Sequence, residues 1–203
     1  MENNTQLKEM IRSMVIDVLQ GQKQETASSQ SVKQVSRGQE PGVFDTVDEA
    51  IRAAKEAQLR FEDCTLATRE KVIADIRAAM RPRVQELAQK TVEETGMGRV
   101  ADKVLKLNLT LDKTPGVEDL VTECETGDNG MTLYELSAYG VIGAITPSTN
   151  PAETLICNSI GMLAAGNAIF FSVHPGAKNL SRELVSELNQ VIAKSIGIEN
   201  LIV

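Results

Sequence analysis

The chain has 203 residues, of which 42% are hydrophobic, 24% are charged and only 3% are aromatic. This composition excludes global disorder, and the scarcity of aromatic rings argues against a stacking platform for single-stranded nucleic acid. Lysine and arginine number 21 against 28 acidic residues, a net charge of −7, so we expect no nucleic acid and no membrane as a partner.

The thiols and the imidazole are too scattered to predict a metal site. Cys64, Cys124 and Cys157 form no CxxC pair, and His174 is the one histidine of the sequence. A zinc site needs about four clustered nitrogen or sulfur ligands, so we predict no metal. Isolated thiols, without a secretory signal or an apolar run of about 20 residues, predict a cytosolic protein.

Residues 1–20 have the pattern of an amphipathic helix. Its apolar stripe consists of residues spaced by three and four, namely Leu7, Met10, Ile11, Met14, Val15, Val18 and Leu19. Residues 21–43 are rich in Gln, Ser and Gly and predict a flexible linker. A tethered helix of this kind packs on its own domain or on a sister subunit, or it docks in a groove of another protein. A membrane-surface helix is disfavoured by the few basic residues on its polar face.

Residues 44–130 predict a helical segment. Thr46 and Glu49 have capping-box spacing, and a first helix is expected to run from there to Phe61. Further helices are predicted over residues 68–80, from Pro82 to a stop at Gly96, and over residues 99–113. The acidic side chains on these helices are interpreted as solvated surface, namely Glu93, Glu94 and Asp102.

Residues 131–203 alternate between strand and helix patterns. An exposed strand is predicted over 131–137, and buried strands over 141–146, 168–172 and 201–203, with helices ending near Ala165 and Gly197. The last three strands and two helices give β-α-β-α-β, which implies right-handed crossovers and a parallel sheet. We therefore predict an α/β fold with a helical preface before a Rossmann-like sheet.

Two loops are expected at the carboxyl edge of this sheet, where ligands bind in such folds. They span residues 146–151 and 172–176. The first is rich in hydroxyl groups and precedes a helix, which suits an oxyanion or a ribose hydroxyl but is equally typical of an ordinary capped helix start. No GxGxxG or P-loop motif occurs, so an ordinary dinucleotide fingerprint is absent.

Four sequence strings resemble the CoA-acylating aldehyde dehydrogenases of bacterial microcompartments, and they lie at residues 94–98, 113–120, 139–151 and 171–178. The resemblance covers residues 44–203. It implies oxidation of acetaldehyde or propionaldehyde to the acyl-CoA, with NAD as cofactor and coenzyme A as co-substrate. A Cys thiolate would attack the aldehyde, and CoA would release the acyl group.

The same resemblance implies the site residues. The nicotinamide half of the cofactor site would be lined by Thr146, Pro147, Ser148, Thr149 and Asn150. The adenosine side, used in turn by NAD and CoA, would be lined by Ser172, Val173, His174, Pro175 and Gly176. Thr149 and Asn150 are the alternative candidates for stabilising the oxyanion. Ser172 stands where ordinary family members have a ribose-binding lysine.

The resemblance places the catalytic thiol after residue 203. Cys157 is predicted to be a small buried core residue, because Ile156 and Ile160 flank it. We therefore expect a truncated enzyme that forms no NADH from propionaldehyde and CoA. The rival interpretations are a non-catalytic shell-docking cargo module or nucleotide-binding remnant, and a fragment of an ordinary aldehyde dehydrogenase that does not use CoA.

The resemblance also implies partners and a location. Residues 1–20 are similar to encapsulation peptides, which would dock the chain on a microcompartment shell protein. The location would then be cytoplasmic, inside a bacterial microcompartment. The full-length protein would form a homo-oligomer, and the other partner would be a short-chain aldehyde.

Overall fold

The structure, a computed structural model, describes residues 40–203. The predicted docking helix at residues 1–20, and the linker up to residue 39, lie outside these residues. The other domain boundaries drawn from the sequence stay predictions.

The helical preface is confirmed, with four helices in chain order. They are α1 (Val47–Glu62), α2 (Leu66–Met80), α3 (Val84–Thr95) and α4 (Val100–Lys113), with short 3-10 turns at Arg81–Arg83 and Val117–Asp119. Thr46 caps α1 as predicted, because its Oγ1 accepts a hydrogen bond from the N–H of Glu49 at 3.3 Å. The second helix begins two residues earlier than predicted, because Thr65 caps it by accepting from the N–H of Thr68.

A hairpin follows the helices and differs from the prediction. Strand β1 (Glu123–Gly127) pairs antiparallel with β2 (Gly130–Tyr134). The second strand overlaps the strand predicted over residues 131–137, whereas β1 has no counterpart in the sequence analysis. All ten residues of the two strands are exposed. The sequence of β1 therefore lacks the alternation of apolar and polar residues that would predict a half-buried strand.

The parallel sheet is built as predicted from the last third of the chain. Strand β3 (Val141–Ile145) leads through α5 (Pro151–Ala164) to β4 (Ala168–Ser172), and α6 (Lys178–Ile196) follows a 3-10 turn at Pro175–Ala177. β3 and β4 pair in parallel, with Val141 opposite Ala168 and Ile145 opposite Ser172.

The segment Leu201–Val203 joins the other edge of β4, as the predicted third strand requires. Ile202 bridges to Ile169 in parallel, and the N–H of Phe171 donates to the carbonyl oxygen of Val203 at 2.7 Å. β4 therefore lies in the middle of the sheet.

One hydrophobic core joins the helical preface to the sheet. α2 packs against α5 and α6, and α1 packs against β3 and β4. Fully buried side chains come from both halves, among them Phe61, Ile76, Leu107, Ile156 and Ile169. Burial of side chains of this size is the main favourable term in folding, and here it fixes the sheet on its helices. Between residues 40 and 203, no helix is long and apolar enough to cross a bilayer.

Candidate functional site

The two loops predicted to form a site lie side by side. Ile145 and Ser172 are register partners at the ends of β3 and β4. The N–H of Thr146 donates to the carbonyl oxygen of Ser172 at 3.1 Å, which extends the ladder into the loops. The structure therefore brings residues 146–150 and 172–176 together at the carboxyl edge of the sheet, where ligands bind in open α/β folds.

The first loop contains a buried hydroxyl group with an unusual environment. Thr146 is only 3% exposed, and its Oγ1 has no hydrogen-bond partner within residues 40–203. Buried polar atoms are normally paired, so an unpaired one calls for an explanation. Pro147 and Thr149 are exposed, while Ser148 is half-buried and its Oγ lies 3.8 Å from the Met97 sulfur.

The second loop presents polar groups to solvent. Ser172, His174, Pro175 and Gly176 are exposed, and Val173 is half-buried. The Nδ1 of His174 accepts a hydrogen bond from the N–H of Gly176 at 3.0 Å. The neutral imidazole therefore carries its proton on Nε2. The loop offers a hydroxyl group and a ring N–H to a ligand along this edge.

The helix that follows the second loop is capped by a side chain from the helical preface. The carboxylate of Glu94 on α3 accepts the N–H groups of Asn179 and Leu180, at 2.8 and 2.7 Å. The sequence interpretation of Glu94 as solvated surface is therefore wrong, because it is half-buried against α6. These two amide groups are not free to bind the phosphates of a ligand, although helix N-termini often do so.

The two other acidic side chains interpreted as surface are accessible to solvent, that of Asp102 to 44%. Glu93 is exposed and accepts from Gln89. Asp102 pairs with Arg99 at 2.7 Å, and hydrogen bonding to this guanidinium holds the pKa of the Asp102 carboxyl below its usual range.

Asn150 occupies the N-cap position of α5 but does not cap it. Its Oδ1 instead accepts from two ammonium groups of α4, Lys103 Nζ at 3.3 Å and Lys106 Nζ at 3.1 Å. Lys103 also donates to the carbonyl oxygen of Thr149 and lies 3.6 Å from a carboxylate oxygen of Glu153. A side chain of the helical preface thus contacts the loop at its last two residues.

Sequence reasoning missed Lys103 although the sequence carries a signal for it. The residue lies three positions after Val100 and four before Leu107, so it falls on the apolar stripe of α4. A lysine at such a position is buried only when it is paired. Lys103 is 3% exposed and Glu153 is 7% exposed, which makes this a buried ion pair beside the loop.

None of the three cysteines lies at the two loops. Cys157 is on α5, seven residues after Asn150, or about 10 Å along the helix axis. The prediction that it is buried is wrong: Ile156 and Ile160 face the core, and the helical step of about 100° per residue leaves Cys157 exposed. Cys64 lies two residues after the end of α1, with its thiol 3.7 Å from the Arg60 carbonyl oxygen, and Cys124 is exposed on β1. No cluster of three or more His, Cys, Asp or Glu suited to a metal is found from residue 40 onward.

Known proteins are similar to this chain in sequence and in fold. The profile of the aldehyde dehydrogenase family matches residues 20–191. Propanal dehydrogenase (CoA-propanoylating) of Salmonella typhimurium is 46% identical over 201 residues, covering 99% of this chain and 41% of its own length. Acetaldehyde dehydrogenase (acetylating) of Escherichia coli is 47% identical over 164 residues, covering 81% of this chain and 35% of its own length.

A solved structure shows the same arrangement of elements. The propionaldehyde dehydrogenase from the fucose utilisation bacterial microcompartment of Clostridium phytofermentans superimposes with a TM-score of 0.78 at 48% identity, over 80% of this chain and 38% of that one. The chain thus spans about two fifths of the length of the curated propanal dehydrogenase. Since the family profile covers residues 20–191 of the 203, the chain belongs to the aldehyde dehydrogenase family.

Proposed function

We propose that the chain supplies the cofactor-binding part of an enzyme that oxidises a short-chain aldehyde, propanal or acetaldehyde, to its acyl-CoA with NAD and CoA. The observation that carries the proposal is the pair of adjacent loops at the carboxyl edge of the sheet, joined by the hydrogen bond from Thr146 to Ser172. The similarity to a CoA-propanoylating and an acetylating dehydrogenase supports the reaction class.

The residues at this edge fit a dinucleotide. The exposed Ser172 hydroxyl is suited to a ribose hydroxyl or an amide group, and the His174 ring offers a further donor. The Thr146 side chain is buried, so its contribution to this edge is the backbone hydrogen bond to Ser172. NAD, when bound, would accept hydride from the aldehyde. Residues 146–150 would hold its nicotinamide half, and residues 172–176 its adenosine half.

The capping of α6 by Glu94 supports exchange of one nucleotide for another. Free N–H groups at a helix N-terminus favour the phosphates of a cofactor, whereas here two of these N–H groups are already paired. The same adenosine side could then release NAD and accept CoA, as the reaction sequence requires.

The role of Ser172 is tested by titrating the 203-residue chain with NAD by calorimetry. We expect saturable binding, and Ser172→Lys should tighten it about tenfold, because an added ammonium near the ribose hydroxyls contributes about 1.4 kcal/mol. Ser137→Lys is the matched control, since it adds the same charge at an exposed position outside both loops. The absence of NAD binding, or equal affinities for both variants, would contradict the assignment.

The reaction is tested with a chimera in which this chain replaces the matching segment of the Salmonella propanal dehydrogenase. We expect NADH formation that requires both propanal and CoA. The 203-residue chain alone should form none, because none of its thiols lies at the two loops. A soluble, folded chimera that reduces no NAD would contradict the proposed function.

We further propose that residues 1–20 dock the protein on a microcompartment shell protein. The support is the apolar stripe of this segment, together with a structural relative that comes from a microcompartment. The same residues fused to a fluorescent protein should co-localise with shells, and Val15→Asp should abolish this while Lys8→Glu should not. A diffuse signal from the parent fusion would contradict the proposal.

A homo-oligomer of the full-length protein is also proposed. An isolated two-stranded hairpin is only marginally stable in water, so we expect this hairpin to pack against another surface. Its second strand exposes three large apolar side chains, Met131, Leu133 and Tyr134, to 66%, 57% and 50%. A second copy of the chain would cover these side chains. Sedimentation of the chimera should give a species larger than a monomer, and a monomer at micromolar concentration would count against it.

A further inference from the structure

The Asn150 carboxamide has an orientation that its surroundings dictate. Its Oδ1 receives two ammonium groups, Lys103 Nζ and Lys106 Nζ, at 3.3 and 3.1 Å. Ammonium groups have no acceptor, so the atom of the amide that faces them must be the oxygen. The NH₂ group therefore lies on the far side of the planar amide, where it donates to the Thr149 hydroxyl at 3.4 Å.

This orientation differs from that of an ordinary N-cap asparagine. Such a side chain normally accepts an N–H from the first turn of its helix, and Asn150 makes no such bond to α5. The departure costs the helix a cap, so another interaction must hold the side chain in place. Lys103 is the stronger candidate, because it is 3% exposed whereas Lys106 is exposed to solvent.

The buried lysine is held from three directions. It donates to the carbonyl oxygen of Thr149 as well as to Asn150, and the Glu153 carboxylate lies 3.6 Å away. Both carboxylate oxygens of Glu153 are buried without a hydrogen bond among residues 40–203. Glu153 therefore supplies the compensating charge, and the directed hydrogen bonds of the ammonium go to the loop.

We infer that Lys103 is a positioning residue, which acts through Asn150 by fixing the carboxamide with its NH₂ group turned away from α4 and available to an oxyanion. The role given to this amide, binding an oxyanion, rests on the proposed function. The fixed orientation also chooses between the two candidates of the loop. Two ammonium groups fix the direction of the Asn150 amide, whereas Lys103 contacts Thr149 only at its carbonyl oxygen and does not orient its hydroxyl.

The test separates orientation from stability with paired variants of the 203-residue chain. Lys103→Met should lower the melting temperature by about 10 °C, because it leaves Glu153 as an unpaired buried charge. Lys103→Met combined with Glu153→Gln should recover most of this loss. Glu153→Gln alone, with Lys103 in place, is the matched control.

The decisive measurement is the side-chain amide signal of Asn150 in ¹⁵N-correlated NMR spectra. The double variant should shift this signal and lose the contact between the Asn150 NH₂ protons and the Thr149 side chain, although it is folded. Glu153→Gln should keep both, and Lys106→Met should change them less than the double variant. An unchanged Asn150 signal in the folded double variant would overturn the inference and reduce Lys103 to a counter-ion of Glu153.

Kinetics of the chimera add a readout of function. The double variant should lower kcat about tenfold or more with little change in KM for NAD, and it should have no further effect once Asn150→Ala is present. If the NMR signal shifts while Asn150→Ala leaves kcat unchanged, the positioning contact exists but its proposed purpose is wrong. The two failures are therefore distinguishable.

Discussion

At the scale of single residues, Glu94 connects the helical preface to the second loop of the site. Its carboxylate accepts two backbone N–H groups at the start of α6, at 2.8 and 2.7 Å. Hydrogen bonds to a charged group contribute more than neutral ones, and a negative charge is favoured at a helix N-terminus. The start of α6, and with it the end of the loop at residues 172–176, is held by a residue of another helix.

Replacing this residue should therefore destabilise the chain. We expect Glu94→Ala to lower the free energy of unfolding by about 2 kcal/mol, and Glu94→Gln to lower it by less, because an amide oxygen still accepts. The matched control is Glu93→Ala, an exposed neighbour that should stay within about 0.5 kcal/mol of the parent. Urea unfolding followed by circular dichroism measures the three values, and equal losses for Glu93→Ala and Glu94→Ala would contradict the capping role.

At the scale of elements, local signals in the sequence predict most of the fold. Thr46 caps the start of α1 with its side chain, and Gly96 and Gly197 end α3 and α6 in the left-handed backbone conformation. These signals are local, because each involves residues only a few positions apart. β1 was not predictable, because its sequence, Glu-Cys-Glu-Thr-Gly, has no buried face. The burial of Lys103 could have been read from its place on the apolar stripe of α4, but the partners of Glu94 and Lys103 could not, since they lie 85 and 47 residues away.

A cluster of charged side chains joins α3 to α6. Lys90 Nζ lies 2.6 Å from Glu183 and 2.8 Å from Glu86, and Arg83 lies 3.0 Å from Glu183 and also pairs with Glu187. The hydrogen bond from Lys90 holds the pKa of the Glu86 carboxyl below its usual range. The hydrogen bond to Glu183 raises the pKa of Lys90 above its usual range.

The lowered pKa of Glu86 makes stability depend on pH. A carboxyl whose pKa is lower in the folded state contributes stability above its unfolded pKa and loses it as the pH falls through the folded one. Melting temperature should therefore fall between about pH 5 and pH 3, and less steeply in Glu86→Gln. The contribution of Glu86 to the free energy of unfolding over this pH range should be below about 1 kcal/mol, because these side chains are partly exposed. Glu56→Gln, at an exposed position on α1, should keep the parent slope, and identical slopes for both variants would exclude the cluster as a cause.

At the scale of the whole molecule, the segment around Gly42 is packed against the third strand of the sheet. Gly42 is buried with a φ of +76°, and a Cβ atom there would lie 2.7 Å from the carbonyl oxygen of Ile202 and would overlap the Asn189 side chain. Asn189 on α6 donates to the carbonyl oxygens of Val185 and Ile202. The absence of a side chain at Gly42 thus allows the backbone around residue 42 to pack against α6 and the strand at Leu201–Val203.

Two glycine substitutions should therefore shift stability in opposite directions. Gly42→Ala should destabilise the chain by at least about 1–2 kcal/mol, the cost of a left-handed backbone for a residue with a Cβ, to which the clash with Ile202 adds. Gly161→Ala lies within α5, where a Cβ would meet nothing within 4 Å, and should stabilise the chain by about 0.5–1 kcal/mol because alanine favours the helix. Thermal unfolding should separate the two variants by several degrees. A Gly42→Ala chain as stable as the parent would mean that the segment around residue 42 does not hold the third strand in place.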